Sequence, residues 1–199
     1  MKLIDYFTKI PKTNAVVAIS IYLCTALAVL LYGFQKSTIA TLFQLLLAVA
    51  GLLFFTLIEY LTHRFVYHSG PDYKSDQNWQ YKVHGVHHQF PNDLGLLALP
   101  IVLALSLGGL FLALFYPLMR QQAFLFWPGF YLGYASYLTL HYLAHSRKPP
   151  QNFLKNLWRH HHLHHNVYEE KAFGVSSPLW DFIFGTLPPK GRIKRKIKN

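Results

Sequence analysis

The chain has 199 residues, a length for one domain, and with 52% hydrophobic and only 14% charged residues it is too apolar for an ordinary soluble protein. Its formal net charge is +11, much of it in Lys190, Arg192, Lys194, Arg195, Lys196 and Lys198. These follow the last apolar segment, so anionic lipid headgroups, not nucleic acid, are the expected partner of this basic tail, 188–199.

Taken in chain order, four stretches lack ionisable side chains for at least 19 residues: about 15–33, 37–58, 94–119 and 121–140. A spanning helix needs ~20 such residues. No small-residue cleavage site follows the first run, so it reads as a span and not as a removed leader. Short gaps join runs one and two, and runs three and four, which predicts two hairpins with both chain ends on one side. Of 19 Lys and Arg, only Lys36 and Arg120 fall in those short turns, and all eight acidic residues and all twelve histidines lie elsewhere. By the bias of basic residues toward the cytoplasm, the N-terminal arm, the middle segment and the C-terminal segment are cytoplasmic.

Gly33, Gly51, Gly108, Gly109, Gly129 and Gly133 lie in or beside the apolar runs, where small residues let helices approach closely. Pro128 is expected to kink the fourth run, and Pro100 lies in the first turns of the third. Ser69 to Gln80, with Gly70, Pro71, Asp72 and Asp76, reads as a loop; Pro149 and Pro150 close the fourth helix, and Asn152 to His165 is helical again. Cys24, the sole cysteine, lies within the first run, which excludes an intrachain disulfide or a thiolate metal site and leaves packing as its expected role.

The histidines carry the chemistry. His63 and His68 form H-x4-H, His84, His87 and His88 form H-x2-H-H, His141 and His145 form H-x3-H, and His161, His164 and His165 form a second H-x2-H-H. Separations of three or four on a helix put imidazoles on one face, about 5–6 Å apart, close enough to share a metal. His63 and His68 are five apart, so the helix is expected to loosen between them. All four clusters border the spans and can converge at one depth. A tetrahedral zinc takes about four ligands and an octahedral ion about six, so ten imidazoles suit two metals. Imidazole alone does not choose among iron, zinc and copper. His160 and His162 break the spacing and read as bystanders or outer hydrogen-bond partners. Ligating histidines usually donate their second N–H to an acceptor; Glu59, one turn before His63, is placed for this, with Asp93 and Asp181 as weaker candidates.

Several motifs together resemble the fatty acid hydroxylase and sterol desaturase family, closest to fatty acid 2-hydroxylases. Glu59-Tyr60-x2-His63-Arg64-Phe65-x2-His68 resembles the first histidine box, and His84-Gly85-x-His87-His88-x2-Pro91-x-Asp93 the second. Gly133-Tyr134 with His141-Tyr142-x2-His145 resembles the third. The fourth is similar to Leu154-Lys155 leading to His161-x2-His164-His165, followed by Phe173-Gly174-Val175-x-Ser177 and Trp180-Asp181-x2-Phe184-Gly185-Thr186. Two positions depart from the pattern: Leu96-Leu97 stands where an Arg-Leu pair is usual, and Leu138 where an Asp often precedes the third box. The resemblance implies two iron ions, with zinc an alternative occupant of purified protein, O2 as co-substrate, and a lipid or fatty acyl substrate entering from the bilayer. It also implies electrons from a redox partner such as cytochrome b5, a ferredoxin or a reductase. Only 14 residues precede Ala15, so that donor is expected to be a separate protein.

The expected fold is an all-α integral membrane domain over 1–199: four transmembrane helices in two hairpins, with a cytoplasmic helical cap, 59–93 and 141–187, carrying the dimetal site. The expected activity is O2-dependent hydroxylation of a fatty acyl chain at the cytoplasmic face, of the plasma membrane in a bacterium or the endoplasmic reticulum in a eukaryote. Sterol or lipid desaturation and carotenoid hydroxylation are alternatives on the same scaffold. A membrane metal-binding or transport protein is the alternative of a different class. Transporters place ionisable groups near the bilayer midplane, and the four runs contain none.

Overall fold

The computed structural model describes residues 12–70, 75 and 78–189, and among them every regular element is helical. The N-terminal arm, most of the 71–77 loop and the basic tail from Lys190 lie outside the described residues, as does the lipid contact expected of that tail. Helix α1 spans Ala15–Lys36 and α2 Thr41–Thr62; a π-helical turn, His63–Tyr67, continues α2. A second π-helical turn, Tyr81–Gly85, leads into the short α3, Val86–Gln89. Then come α4, Ile101–Met119, α5, Ala123–Ser146, α6, Lys155–Asn166, and α7, Leu179–Ile183.

Three helical stretches are long and apolar enough to cross a membrane: Ala15–Lys36, Thr41–Tyr67 and Leu94–Ser146, the last of 53 residues. The third doubles back. Its chain turns at Arg120, which adopts φ 53°, and α5 returns along α4 so that Trp127 Nε1 donates to Gly108 O at 2.7 Å. The outward faces of α1, α2 and α4 are apolar, with Val102 77% and Leu118 82% exposed. Such a continuous apolar surface suits lipid, not water.

Helix α5 is the centre, packed against α1, α2 and α4. Ala18, Tyr22 and Ala26 of α1 meet Trp127, Tyr131, Ala135 and Leu138 of α5 in the main core. Glycines set the spacing. A Cβ on Gly129 would lie 1.8 Å from the Ala48 carbonyl oxygen, and one on Gly51 would lie 1.9 Å from that of Phe126, so α2 and α5 touch backbone to backbone. Gly33, Gly108 and Gly133 are similarly crowded, but Gly109 has nothing within 4 Å. Its expected packing role is therefore corrected: it faces outward. Cys24 is corrected likewise, being exposed on α1 and not packed.

Capping explains several boundaries. Asn14 accepts from the amides of Val16 and Val17 at 3.1 Å, filling donors that the first turn of α1 leaves unpaired. The third apolar run does not begin as a helix: Leu94–Leu96 is a 3-10 turn, and Pro100 is the N-cap of α4, not a residue within its first turns. Proline lacks an N–H and fits where none is needed. Helix α5 ends at Ser146, ahead of Pro149 and Pro150.

Candidate metal centre

Five elements deliver ten imidazoles to one place. In the π-helical turn after α2 the backbone bonds widen to i→i+5, and the His68 amide donates to the His63 carbonyl at 3.2 Å. That extra residue per turn puts two histidines five apart on one side, the loosening their spacing requires. His84 closes the second π-helical turn, with His87 and His88 in α3 behind it. His141 and His145 lie one turn apart near the end of α5, and His161, His164 and His165 lie in α6.

The ten form two groups of five. His63, His68, His84, His88 and His164 make the first; His87, His141, His145, His161 and His165 make the second. Within each group one ring nitrogen per residue lies within 4.8 Å of all the others. In the first, the Nε2 atoms of His63, His68 and His88 lie 3.0, 3.2 and 2.9 Å from that of His84. In the second, Nε2 of His141 is 2.9 Å from that of His87, and Nε2 of His145 is 2.7 Å from that of His161. Each H-x2-H-H cluster is divided between the groups, so α3 and α6 link them. His88 of the first group stacks on His165 of the second, ring centroids 4.1 Å apart.

Burial, then neighbouring imidazoles, holds His84, His87, His88, His161, His164 and His165 below the ordinary histidine range. They are neutral near pH 7, and a neutral imidazole carries one ring nitrogen with a lone pair that can ligate a metal. Buried, neutral, converging imidazoles in two sets of five fit two transition-metal ions.

The outer contacts are more selective than the sequence suggests. Glu59 does not take a proton from His63. It accepts from the Val175 and Ser176 amides at 2.6 and 2.9 Å and from the Ser176 hydroxyl. His63 Nδ1 donates instead to the Phe173 carbonyl at 2.5 Å, and His164 Nδ1 to that of Lys171 at 2.8 Å. A carbonyl only accepts, so both rings carry their proton on Nδ1 and present Nε2 to a metal. Asp181, fully buried, accepts from the Phe173 and Gly174 amides, from Thr186 Oγ1 and from His160 Nε2, at 2.7–2.9 Å. Burial opposes its ionisation, but the bonds from His160, Thr186 and Gly174 outweigh it and hold the carboxyl below its usual range. Neither carboxylate touches a ligating ring; each acts through the loop. Asp93 is not part of this arrangement: it takes Lys12 Nζ at 2.5 Å and caps the Leu94–Leu96 turn through the Gly95 amide. The Lys12 bond holds its carboxyl below its usual range. His162 is exposed and bonded to Asn166.

The two carbonyls were not legible in advance, because a backbone acceptor has no residue type. Their signal is local. Ala172, between them, adopts φ 60°, a left-handed conformation that costs a non-glycine residue about 1–2 kcal/mol. A Cβ on Gly174 would sit 2.1 Å from the Ser177 carbonyl oxygen. The Phe-Gly-Val-Ser-Ser stretch is thus a tight loop facing the first group.

An apolar cavity of about 310 Å³ lies between α2, α4 and α5, lined by Phe55, Ile58, Phe111, Phe130 and Tyr131 among others, with Glu59 and His63 at the metal end. A smaller one of about 30 Å³ shares Tyr67, Leu99, Tyr134 and Tyr137 with it and reaches His84, His87 and His141. The smaller cavity therefore abuts residues of both groups, and the larger one abuts His63 of the first.

Known proteins share these features. A model of the family described as fatty acid hydroxylase matches residues 48–186. The rat fatty acid 2-hydroxylase is 37% identical over 152 residues, covering 72% of this chain and 40% of that protein. A dihydroceramide fatty acyl 2-hydroxylase of Arabidopsis thaliana is 35% identical over 150 residues, covering 71% of this chain and 60% of that protein. This chain thus spans well under two thirds of the rat protein's length. The solved hydroxylase domain of full-length scs7p superposes with a TM-score of 0.82 at 29% identity, over 90% of this chain and 69% of that one. The matched region runs from within α2 to Thr186 and holds every histidine of both groups, and by that match the chain belongs to the fatty acid hydroxylase family.

Proposed function

We propose that this chain hydroxylates a fatty acyl chain of a membrane lipid, using O2, two His-ligated irons and electrons from a redox donor. The observation that carries this is the apolar cavity ending at His63 of the first histidine group, beside a smaller one that reaches histidines of both groups. About 310 Å³ is at the lower end of ligand pockets, roughly 300–1,000 Å³, and a methylene chain needs no polar partner there. The 2-hydroxylases among its relatives point to the acyl carbon beside the carbonyl as the one oxidised.

Four spans are proposed, α1, α2, α4 and α5, with both ends and the histidine elements on the cytoplasmic side. The supporting facts are the basic-residue asymmetry and the reversal at Arg120. The region from α1 to α7 acts as one membrane-embedded domain.

Two irons, once bound, supply the oxidising chemistry that an unactivated C–H bond requires and that no side chain can provide. The chain's residues do the rest. The ten imidazoles hold the ions without adding negative charge. Phe55, Ile58, Phe111 and Phe130 bind the acyl chain and exclude water. Tyr67 stacks on His84, centroids 5.0 Å apart, and with Tyr134 and Tyr137 lines the passage from chamber to histidines.

The test is reconstitution with iron, a reductase system and oxygen-18 gas, read by lipid mass spectrometry. A hydroxy-acyl lipid with one heavy oxygen is expected. An unsaturated lipid without label would reassign the chain as a desaturase, and a labelled carotenoid as a ring hydroxylase.

A further inference from the structure

The two histidine groups have equal ligand counts but unequal surroundings. In the first, His63 and His164 give their Nδ1 protons to the carbonyls of Phe173 and Lys171. The loop carrying those carbonyls is itself held: the amide of residue 172 donates to the Thr186 carbonyl at 2.9 Å, those of residues 173 and 174 to Asp181, and those of residues 175 and 176 to Glu59. The left-handed turn at Ala172 aims two nearby carbonyls at two different rings. In the second group, the Nδ1 atoms of His87, His141 and His161 are buried without a hydrogen-bond partner among the described residues.

We propose that the 171–176 loop is a clasp for the first histidine group alone, tensioned by Asp181 and Glu59 as positioning residues, so that the first metal is held tightly and the second exchanges. An outer acceptor fixes the ring of a ligating histidine and raises its basicity as a ligand, and losing one costs about 10–100-fold in metal affinity. Two of the first group's rings have such support, through a loop whose amides are bound by two carboxylates. This inference rests on the two-metal reading above.

The experiment follows metal loss. Detergent-purified protein carrying two metals per chain is mixed with excess chelator, and bound metal is measured over time by mass spectrometry. Two phases of equal amplitude are expected, separated by about tenfold or more in rate. Asp181→Asn, whose amide nitrogen cannot accept, should speed the slow phase about 10–100-fold and leave the fast one unchanged. His141→Ala should remove the fast phase only. Should Asp181→Asn fail to fold, Thr186→Val, which deletes one of four hydrogen bonds to Asp181, should give a smaller acceleration of the same phase. Two metals leaving wild type at one rate would overturn the inference. So would a variant that speeds both phases equally, the result of general loosening, or a folded Thr186→Val whose slow phase is unchanged. Wild type that binds fewer than two metals would overturn the two-metal reading itself.

Discussion

Gly129→Ala tests whether packing inside the apolar region sets the geometry of the histidines outside it. The added Cβ would stand 1.8 Å from the Ala48 oxygen, and ordinary contact begins at 3.4 Å, so α2 and α5 must part by roughly 1.5 Å at their crossing. Rigid backbone stands on both sides, and no side chain can rotate away. Overpacking of this kind costs about 1–3 kcal/mol, or more. His141 lies twelve residues further along α5, about 18 Å at 1.5 Å per residue, and α2 leads directly into His63. Metal–ligand distances tolerate only about 0.2 Å, so a small fraction of the displacement reaching either end weakens binding. Thermal unfolding in detergent and metal content per chain read the two effects. Gly109→Ala is the control, with open space around it and an expected change within about 0.5 kcal/mol. Equal melting and equal metal content for the two variants would refute the backbone-to-backbone crossing.

Metal analysis of wild type should approach two per chain; His161→Ala should lower it sharply, exposed His162→Ala should leave it unchanged, and His160→Ala, which removes one of the four hydrogen bonds to Asp181, should fall between. Equal losses for His161 and His162 variants would contradict the grouping. Burial holds His87, His161 and His164 below the ordinary value near 6.5, so below pH 6.5 the unfolded chain binds more protons than the folded one. Stability should therefore fall as pH drops through 6.5 toward 5, by roughly 1.4 kcal/mol per pH unit for each such histidine, and metal ligation, which also needs neutral rings, acts in the same direction. A flat melting temperature across that range would refute this. Reporters that function only in the cytoplasm should be active at both chain ends; silence at either would remove the four-span topology.

Periodicity and composition were enough to locate the apolar helices and the histidines, because a bilayer demands ~20 apolar residues and a metal demands particular side chains. The five-residue gap between His63 and His68 implied that the helix loosens there, and the π-helical turn is the form the loosening takes. What the sequence could not specify is partnership. Which histidine of an H-x2-H-H cluster joins which group depends on the approach of α3 and α6 to the ends of α2 and α5. Glu59 stands one turn from His63, yet binds a loop more than a hundred residues away, since the 175 and 176 amides and the Ser176 hydroxyl offer it three donors where a single ring could offer one. Gly109 and Gly129 look alike in sequence and differ entirely in space, for only the tertiary structure decides which glycine faces a backbone and which faces outward. Residue type names the atoms available for bonding; their neighbours come from packing.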